Sequence, residues 1–369
     1  MKIVFSQKKL IDSINIVQRA ISTRTTLPIL QGILISTERD VVKIVATDLQ
    51  LGIETYIDAE IIEQGSVVVV PAKIFSDIIR RLPDGDVEVT VDERNKIEIK
   101  TFNSIINLQG LDAKEFPELE VIEEKNPIEI EEGLFKDMIQ RSIFSVSVDE
   151  TRPIYTGALF EQDRDNITIA CLDGYRLAVR TGKTEPNEQR TEVVIPGKTL
   201  DEVSKIIGNS DKKLSILIGE KHVMFDLGYT RIISRLLEGD FLNYRQIIPE
   251  EYGIRVKVDT HLLKSSIERA SLIAREGENH LIKFSIKEDK MVIRSNSEIG
   301  NIFEEVPILL EGNELDIAFN GRYFLDILRA IEDDEICLDF TTNVNPCVIR
   351  PLEADKSYTY LLLPVRVFI

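Results

Sequence analysis

Apolar positions fall into two alternating rhythms along this chain. Leu10, Ile14, Val17 and Ile21 lie at helical spacing, as do Leu134, Met138, Ile139 and Ile143, and again Leu263, Ile267, Ala270 and Ala274. Each helical window follows a short strand-like run: Met1–Phe5, Ile128–Ile130 and Arg255–Val258. Short strands come next, clearest in the first third at Gly32–Ser36, Val41–Ala46 and Gly52–Ile57. A further strand, a break and a second helix follow. Then comes a hairpin, Val87–Val91 with Ile97–Lys100, whose connection at 92–95 carries the turn formers Asp92 and Asn95. The order predicts units of two helices and several antiparallel strands, an α+β architecture.

The pattern recurs at a fixed interval. Segments 68–79, 193–203 and 317–328 each read as an apolar run, a break and a helix. Their break residues Pro71, Pro196 and Asn320 stand 125 and 124 positions apart, and each is followed two residues later by a cation: Lys73, Lys198, Arg322. Asp48, Asp173 and Ser297 keep the same 125 and 124 steps, the third member being the weakest. Phe116 and Phe241 are 125 apart, with no clear third copy. A period this long means three whole domains rather than a solenoid of short repeats. The predicted domains are 1–124, 125–251 and 252–369, with boundaries in the acidic segment Glu120–Pro127 and near Pro249–Gly253.

Composition narrows the function classes. The chain is 43% hydrophobic and 29% charged, which suits ordinary globular cores. No apolar run approaches the roughly 18–20 residues of a membrane helix. The start, with Lys2, Lys8 and Lys9 around a very short apolar stretch, does not read as a secretory leader. Three cysteines, Cys171, Cys337 and Cys347, form no paired spacing and point to a reducing compartment, the cytoplasm. Three scattered histidines build no zinc pattern, and neither a phosphate loop nor a nucleophile elbow occurs. No metal, cofactor or catalytic residue is expected.

Charge adds one suggestion. The net charge is −18, yet the six predicted helix windows together carry +8, leaving −26 on the rest. Lys and Arg suit solvated helices in any protein. If the six helices shared one surface, however, that surface alone would suit phosphate. It would hold a DNA backbone weakly, without base readout and with steep salt dependence. Two other readings also fit the residues. One is an enzyme centred on Asp173-Gly174-Tyr175-Arg176, which lacks an accompanying base, nucleophile or metal set. The other is a monomeric scaffold that binds proteins and never DNA.

The motifs Thr26–Leu30, Thr47–Leu49, Pro71–Lys73, Asp173–Ala178 and Leu363–Arg366 occur in order along the whole chain. As a set they resemble the bacterial DNA polymerase sliding clamp, the beta subunit of the DNA polymerase III holoenzyme. The resemblance implies three clamp domains per chain and a head-to-tail homodimer closed as a ring, helices inside and sheets outside. Such a ring encircles duplex DNA without sequence preference and has no catalytic activity of its own. It is opened by a clamp loader, and it tethers the DNA polymerase III catalytic subunit and repair proteins that carry clamp-binding motifs. The DNA-facing cations it implies are Arg24, Lys73, Arg152 and Lys198. In the Asp149–Tyr155 loop, Asp149 cannot favour phosphate, which leaves Arg152 as the cation. The implied partner-peptide groove comprises Tyr155, Gly174, Tyr175, Arg176, Leu177, Leu242, Ile247, Pro346, Leu361, Leu362, Leu363, Pro364, Val365 and Arg366, with Phe368 and Ile369 beyond it. The implied dimer contact sets Ile105, Ile106 and Leu108 against Leu272 and Ile273, near Glu304 and Glu305.

Overall fold

The computed structural model describes residues 1–22, 25–123, 125–277, 280–352 and 357–366, with the backbone alone at 187–189. Arg24, Phe368 and Ile369 lie outside the described residues. Six α-helices are present among them: α1 Gln7–Val17, α2 Ala72–Arg81, α3 Glu132–Gln140, α4 Gly197–Ile206, α5 Thr260–Ala274 and α6 Gly321–Arg329. The chain forms two compact units, Met1–Gly133 with Lys205–Leu236, and Leu134–Ser204 with Leu237–Ile369. It passes from one to the other within α3 and α4.

The first unit carries thirteen strands hydrogen-bonded in one series, and the second carries ten. All pairings are antiparallel. Each series contains the same kind of joint. In the first unit Leu51–Ile57 pairs with Thr230–Arg235, placing Ile53 opposite Ile232. In the second, Arg176–Pro196 pairs with Tyr358–Leu362, placing Leu177 opposite Leu361. The strand that leaves the aspartate turn is thus the one that recruits the next repeat.

The turns explain why aspartate recurs at that interval. Asp48 Oδ1 accepts from the backbone N–H of Gln50 (3.0 Å) and Leu51 (2.8 Å). Asp173 Oδ1 accepts from Tyr175 (2.9 Å) and Arg176 (3.1 Å). A short carboxylate satisfies the turn amides locally, where a longer side chain would not reach. The break residues mark helix starts. Pro71 sits at the N-cap of α2 with extended backbone, and needs no N–H there. Asn320 caps α6 through its side chain, which accepts from the N–H of Arg322 (3.0 Å) and Tyr323 (3.3 Å). Behind each cap an amphipathic face turns inward: Ala72, Phe75, Ser76 and Ile79 on α2, and Phe324, Leu325, Ile327 and Leu328 on α6. Phe284, Phe319 and Phe324 meet with ring centroids 5.4–5.7 Å apart and anchor the second unit's core.

Two helices end earlier than their apolar spacing predicts. α1 tightens into a 3₁₀ turn at Gln18–Ala20, so Ile21 has extended backbone. α3 stops at Gln140, and Ile143 begins a separate 3₁₀ turn, Ile143–Ser145. Between them the Ser142 hydroxyl donates back to the Met138 carbonyl (2.7 Å), and its own backbone leaves the helical region. The first boundary segment is also more packed than its acidity suggests. Phe116 joins Val45 and Val68, while Ile122 joins Leu217, Met224 and Ile233, with Leu119 touching both groups. All three cysteines are free and buried, and burial pushes the Cys171 thiol up to about 12.

Candidate partner groove and contact surfaces

The implied groove residues gather in the second unit. Strand pairing sets Arg176 opposite Leu362 and Leu177 opposite Leu361. The Leu363 N–H donates to the Tyr175 carbonyl (2.9 Å), and the Val365 N–H to the Ala318 carbonyl (2.8 Å). These two bonds tie the C-terminal segment across the unit. Beneath it lies an apolar bed of Leu159, Ala170, Leu172, Leu177, Val179, Val194, Tyr244 and Leu361, flanked by half-buried Ile154, Tyr155, Phe241 and Ile248. Leu177 is only 1% exposed, so it is floor rather than wall. The exposed apolar side chains at this end are Tyr175, Leu242, Ile247 and Leu363. Pro364 and Val365 are half-buried and Arg366 is exposed. Pro346 precedes Cys347, which pairs with Leu362.

Why Leu242 and Ile247 face outward follows from their neighbours. Glu161 is buried, and it accepts from the Tyr244 hydroxyl (2.8 Å) and from both ends of the Arg245 guanidinium (2.9 and 2.8 Å). Burial, reinforced by that carboxylate, pushes the Tyr244 phenol well above its usual range, so it stays a donor. With Tyr244 and Phe241 turned in, the short helical turn Tyr244–Ile247 leaves its other side chains in solvent.

Arg176 plays a different part from a groove-edge charge. Its Nε donates to Asp173 (2.9 Å), one terminal nitrogen to Asp326 (2.7 Å) and the other to the Phe144 carbonyl (2.7 Å). The guanidinium also lies 4.5 Å from the centre of the Tyr323 ring, and Tyr323 stacks on Tyr175 at 5.9 Å. Every direction of the fork is engaged. Arg176 therefore holds Asp173, Tyr175 and α6 in place and presents no free charge to a ligand.

Of the residues expected at a dimer contact, Ile105, Ile106 and Leu108 lie on a half-used sheet edge and Leu272 and Ile273 on α5; a second half-used edge carries Glu304 and Glu305. Strand Ile105–Leu111 pairs with Lys96–Lys100 along residues 105–109, and with Ser66–Val69 only at Gly110 and Leu111. Strand Gly300–Glu311 pairs with Lys290–Ser297 along 300–307, and with Ile254–Asp259 only from 308 onward. Among the described residues, 105–109 and 300–307 each keep one side of the backbone unpaired. Ile105 is 61% exposed, and Phe303 on the second edge is 53% exposed. Ile106 and Leu108 are half-buried. Leu272 is exposed and Ile273 half-buried at the end of α5. Arg269 on that helix grips Glu304 (2.6 and 2.7 Å) and holds its carboxyl below the usual range, while Lys290 pairs with Glu305 (2.7 Å).

The implied DNA-facing cations that fall within the described residues are exposed. Lys73 is exposed in the first turn of α2, and Lys198 is exposed near the start of α4. Arg152 is exposed beside Asp149. The Thr151 backbone N–H holds the Asp149 carboxyl below its usual range, so that loop keeps its negative charge.

The whole chain matches one family in three consecutive pieces. Residues 1–120 match the N-terminal domain of the DNA polymerase III beta subunit, 129–243 its central domain and 245–366 its C-terminal domain. The chain belongs to the DNA polymerase III beta subunit family. The beta sliding clamp of Bacillus subtilis (strain 168) is 38% identical over 379 residues, covering all of both chains. That of Staphylococcus aureus is 36% identical over 378 residues, again covering both in full. The crystal structure of the Bacillus subtilis sliding clamp superimposes with a TM-score of 0.97 at 37% identity over the full length of both chains. A beta-subunit structure from Eubacterium rectale gives 0.96 at 34%, also full length. The three matched domains, the antiparallel sheets and the six helices make this a three-domain clamp fold.

Several residues that shape these surfaces carry little or no signal in the sequence. Tyr323, Asp326 and Phe144 fix Arg176 from far along the chain, and nothing local announces them. Phe303 had a local signal, an apolar residue at alternate spacing with Asn301 and Glu305 in a polar-rich strand. Glu161 and Arg245 read as surface charges until the fold brings them together. Among the described residues no helix is long and apolar enough to cross a membrane, and no cluster of ligating side chains suited to a metal is present.

Proposed function

We propose that this chain is a polymerase processivity factor that acts as a closed homodimer around duplex DNA. Its division into domains 1–124, 125–251 and 252–369 supplies six domains to a two-chain ring. The observation that carries the reading is the pair of half-open β edges. Each chain offers one edge at 105–109 and a different one at 300–307, so the contact between chains is head-to-tail, and two such contacts close a ring. Leu272, Ile273 and Phe303 supply apolar cover where Ile105, Ile106 and Leu108 arrive.

Lys73, Arg152 and Lys198, with Arg24, face the DNA backbone and hold it loosely, so the ring slides. The groove framed by Tyr155, Leu242, Ile247 and Leu363 takes short apolar peptides from the DNA polymerase III catalytic subunit, the clamp loader and repair proteins. The protein works in the cytoplasm and has no catalytic step of its own. The test is primer extension by polymerase III with loader and ATP. Adding the chain lengthens the product of each binding event by on the order of a hundredfold, as expected when tethering replaces repeated encounter. Products of unchanged length overturn the reading.

A further inference from the structure

The first unit holds an open cavity of about 580 Å³ that is separate from the partner groove. Its floor is apolar: Leu34, Val45, Met224 and Ile233 on the sheet, with Leu119 arriving from the boundary segment. The repeat explains why a cavity sits here. Leu34 and Val45 lie 125 residues before Leu159 and Ala170, two members of the bed beneath the groove. Phe116 and Leu119 likewise lie 125 before Phe241 and Tyr244. Ile233 stands opposite Gly52 across the strand joint, as Leu361 stands opposite Leu177. The cavity is therefore the first unit's copy of the groove. The copy differs in shape, because Gly52 stands where the other has Leu177. A Cβ at Gly52 would collide with a Leu119 methyl, so glycine lets Leu119 drop onto the sheet. It differs in charge as well, because Lys43 and Glu54 take the places of Thr168 and Val179. These wall charges satisfy one another. Lys43 Nζ pairs with Glu54 (3.0 Å) and Glu38 (3.4 Å), and the Tyr56 hydroxyl donates to Glu54 (3.2 Å). Arg231 donates to Asp226 (2.9 Å). The lip is different. Glu118 and Glu120 are exposed there and form no ion pair among the described residues. Segment 112–123 carries five carboxylates against one cation, Lys114, and Val121 within it is 92% exposed.

We propose that this cavity is a second peptide site, whose occupant is a partner segment with one or two large apolar side chains followed by lysine or arginine. The apolar side chains enter over half-buried Leu34, Leu119 and Tyr56, with Val121 covering them from the lip. The cation meets Glu118 and Glu120, the carboxylates that the protein itself leaves uncommitted. An uncharged apolar peptide gains nothing from those carboxylates, and an acidic one is repelled by them, so the two grooves sort their partners by charge. The site lies within one unit and depends on neither the ring nor the groove of the second unit.

The experiment titrates the full-length protein into two pools of fluorescein-labelled, capped hexapeptides and follows anisotropy. In the basic pool two Leu or Phe positions are followed by Lys or Arg; in the acidic pool Glu replaces the cation. Wild type should bind the basic pool saturably, with half-saturation below about a millimolar, and about tenfold more tightly than the acidic pool. E118K/E120K should abolish that preference. Both glutamates are exposed, so the variant should keep its circular dichroism. S66W, at an exposed residue of the cavity lining, should weaken the basic pool at least about tenfold by filling the cavity. An excess of unlabelled Gln-anchored peptide, which takes the groove of the second unit, should displace nothing. Absence of saturable binding, equal binding of the two pools, an unchanged preference in E118K/E120K, unchanged affinity in S66W, or displacement by the Gln-anchored peptide each overturns the proposal.

Discussion

Replacing Ile105 and Phe303 together by lysine should convert a particle of twice 42.0 kDa into one of 42.0 kDa in light scattering at micromolar concentration. Both side chains stand on strand segments whose outer backbone is unpaired, and both are more than half exposed. An unpaired apolar edge is a liability unless something covers it, and lysine on such an edge is a common device for keeping strands apart. Each apolar side chain covered contributes about 1.5–3 kcal/mol, so losing two at each of two contacts removes about 6–12 kcal/mol. That is enough to move a stable dimer into the monomer range at micromolar protein. Because the side chains are exposed, each unit should keep its fold and its unfolding transition. A double variant that still scatters as wild type would place the contact elsewhere.

The second large effect is expected in the groove. A peptide with a Gln anchor followed by Leu and Phe should bind wild type at around micromolar affinity: burying two apolar side chains supplies about 3–6 kcal/mol of the roughly 8 kcal/mol this needs, and hydrogen bonds of the anchor and the peptide backbone supply the rest. Ile247→Asp with Leu363→Asp should weaken it at least about a hundredfold, because the peptide loses apolar contact and must also desolvate carboxylates. Calorimetry on the folded variant reads this directly. These rim positions make better probes than Leu177. A lysine at Leu177 would sit in the bed beneath the groove, opposite Leu361, and would report on folding rather than recognition. Unchanged affinity in the rim variant would mean that the peptide lands on another surface.

Much of this architecture could be read from spacing. The interval shared by Pro71, Pro196 and Asn320 marks three helix starts, and Asp48 and Asp173 prove to be the same turn, because both features are local and depend on one or two residue types. Helix ends were less legible. Ile21 and Ile143 continue the apolar rhythm, but their backbones leave the helix, since periodicity records burial and not hydrogen bonding. Packing of the boundary at Phe116, Leu119 and Ile122 was hidden by its acidic neighbours. The role of Arg176 was hidden by distance: its partner Asp326 is 150 positions away. The strands at Ile105–Leu108 and Glu304–Glu305 came from the resemblance alone, because an unpaired edge is defined by the strands that fail to cover it.

A closed ring holds DNA by enclosing it, whatever its affinity. Loaded onto a nicked circular plasmid by a clamp loader with ATP, the protein should stay with the DNA through gel filtration at a salt concentration that abolishes its binding to short duplexes. Cutting the same plasmid once with a restriction enzyme should release it, as the dimer slides off the new ends. Retention on the cut plasmid equal to that on the circle would mean that affinity rather than topology holds the protein, and that no ring encloses the DNA.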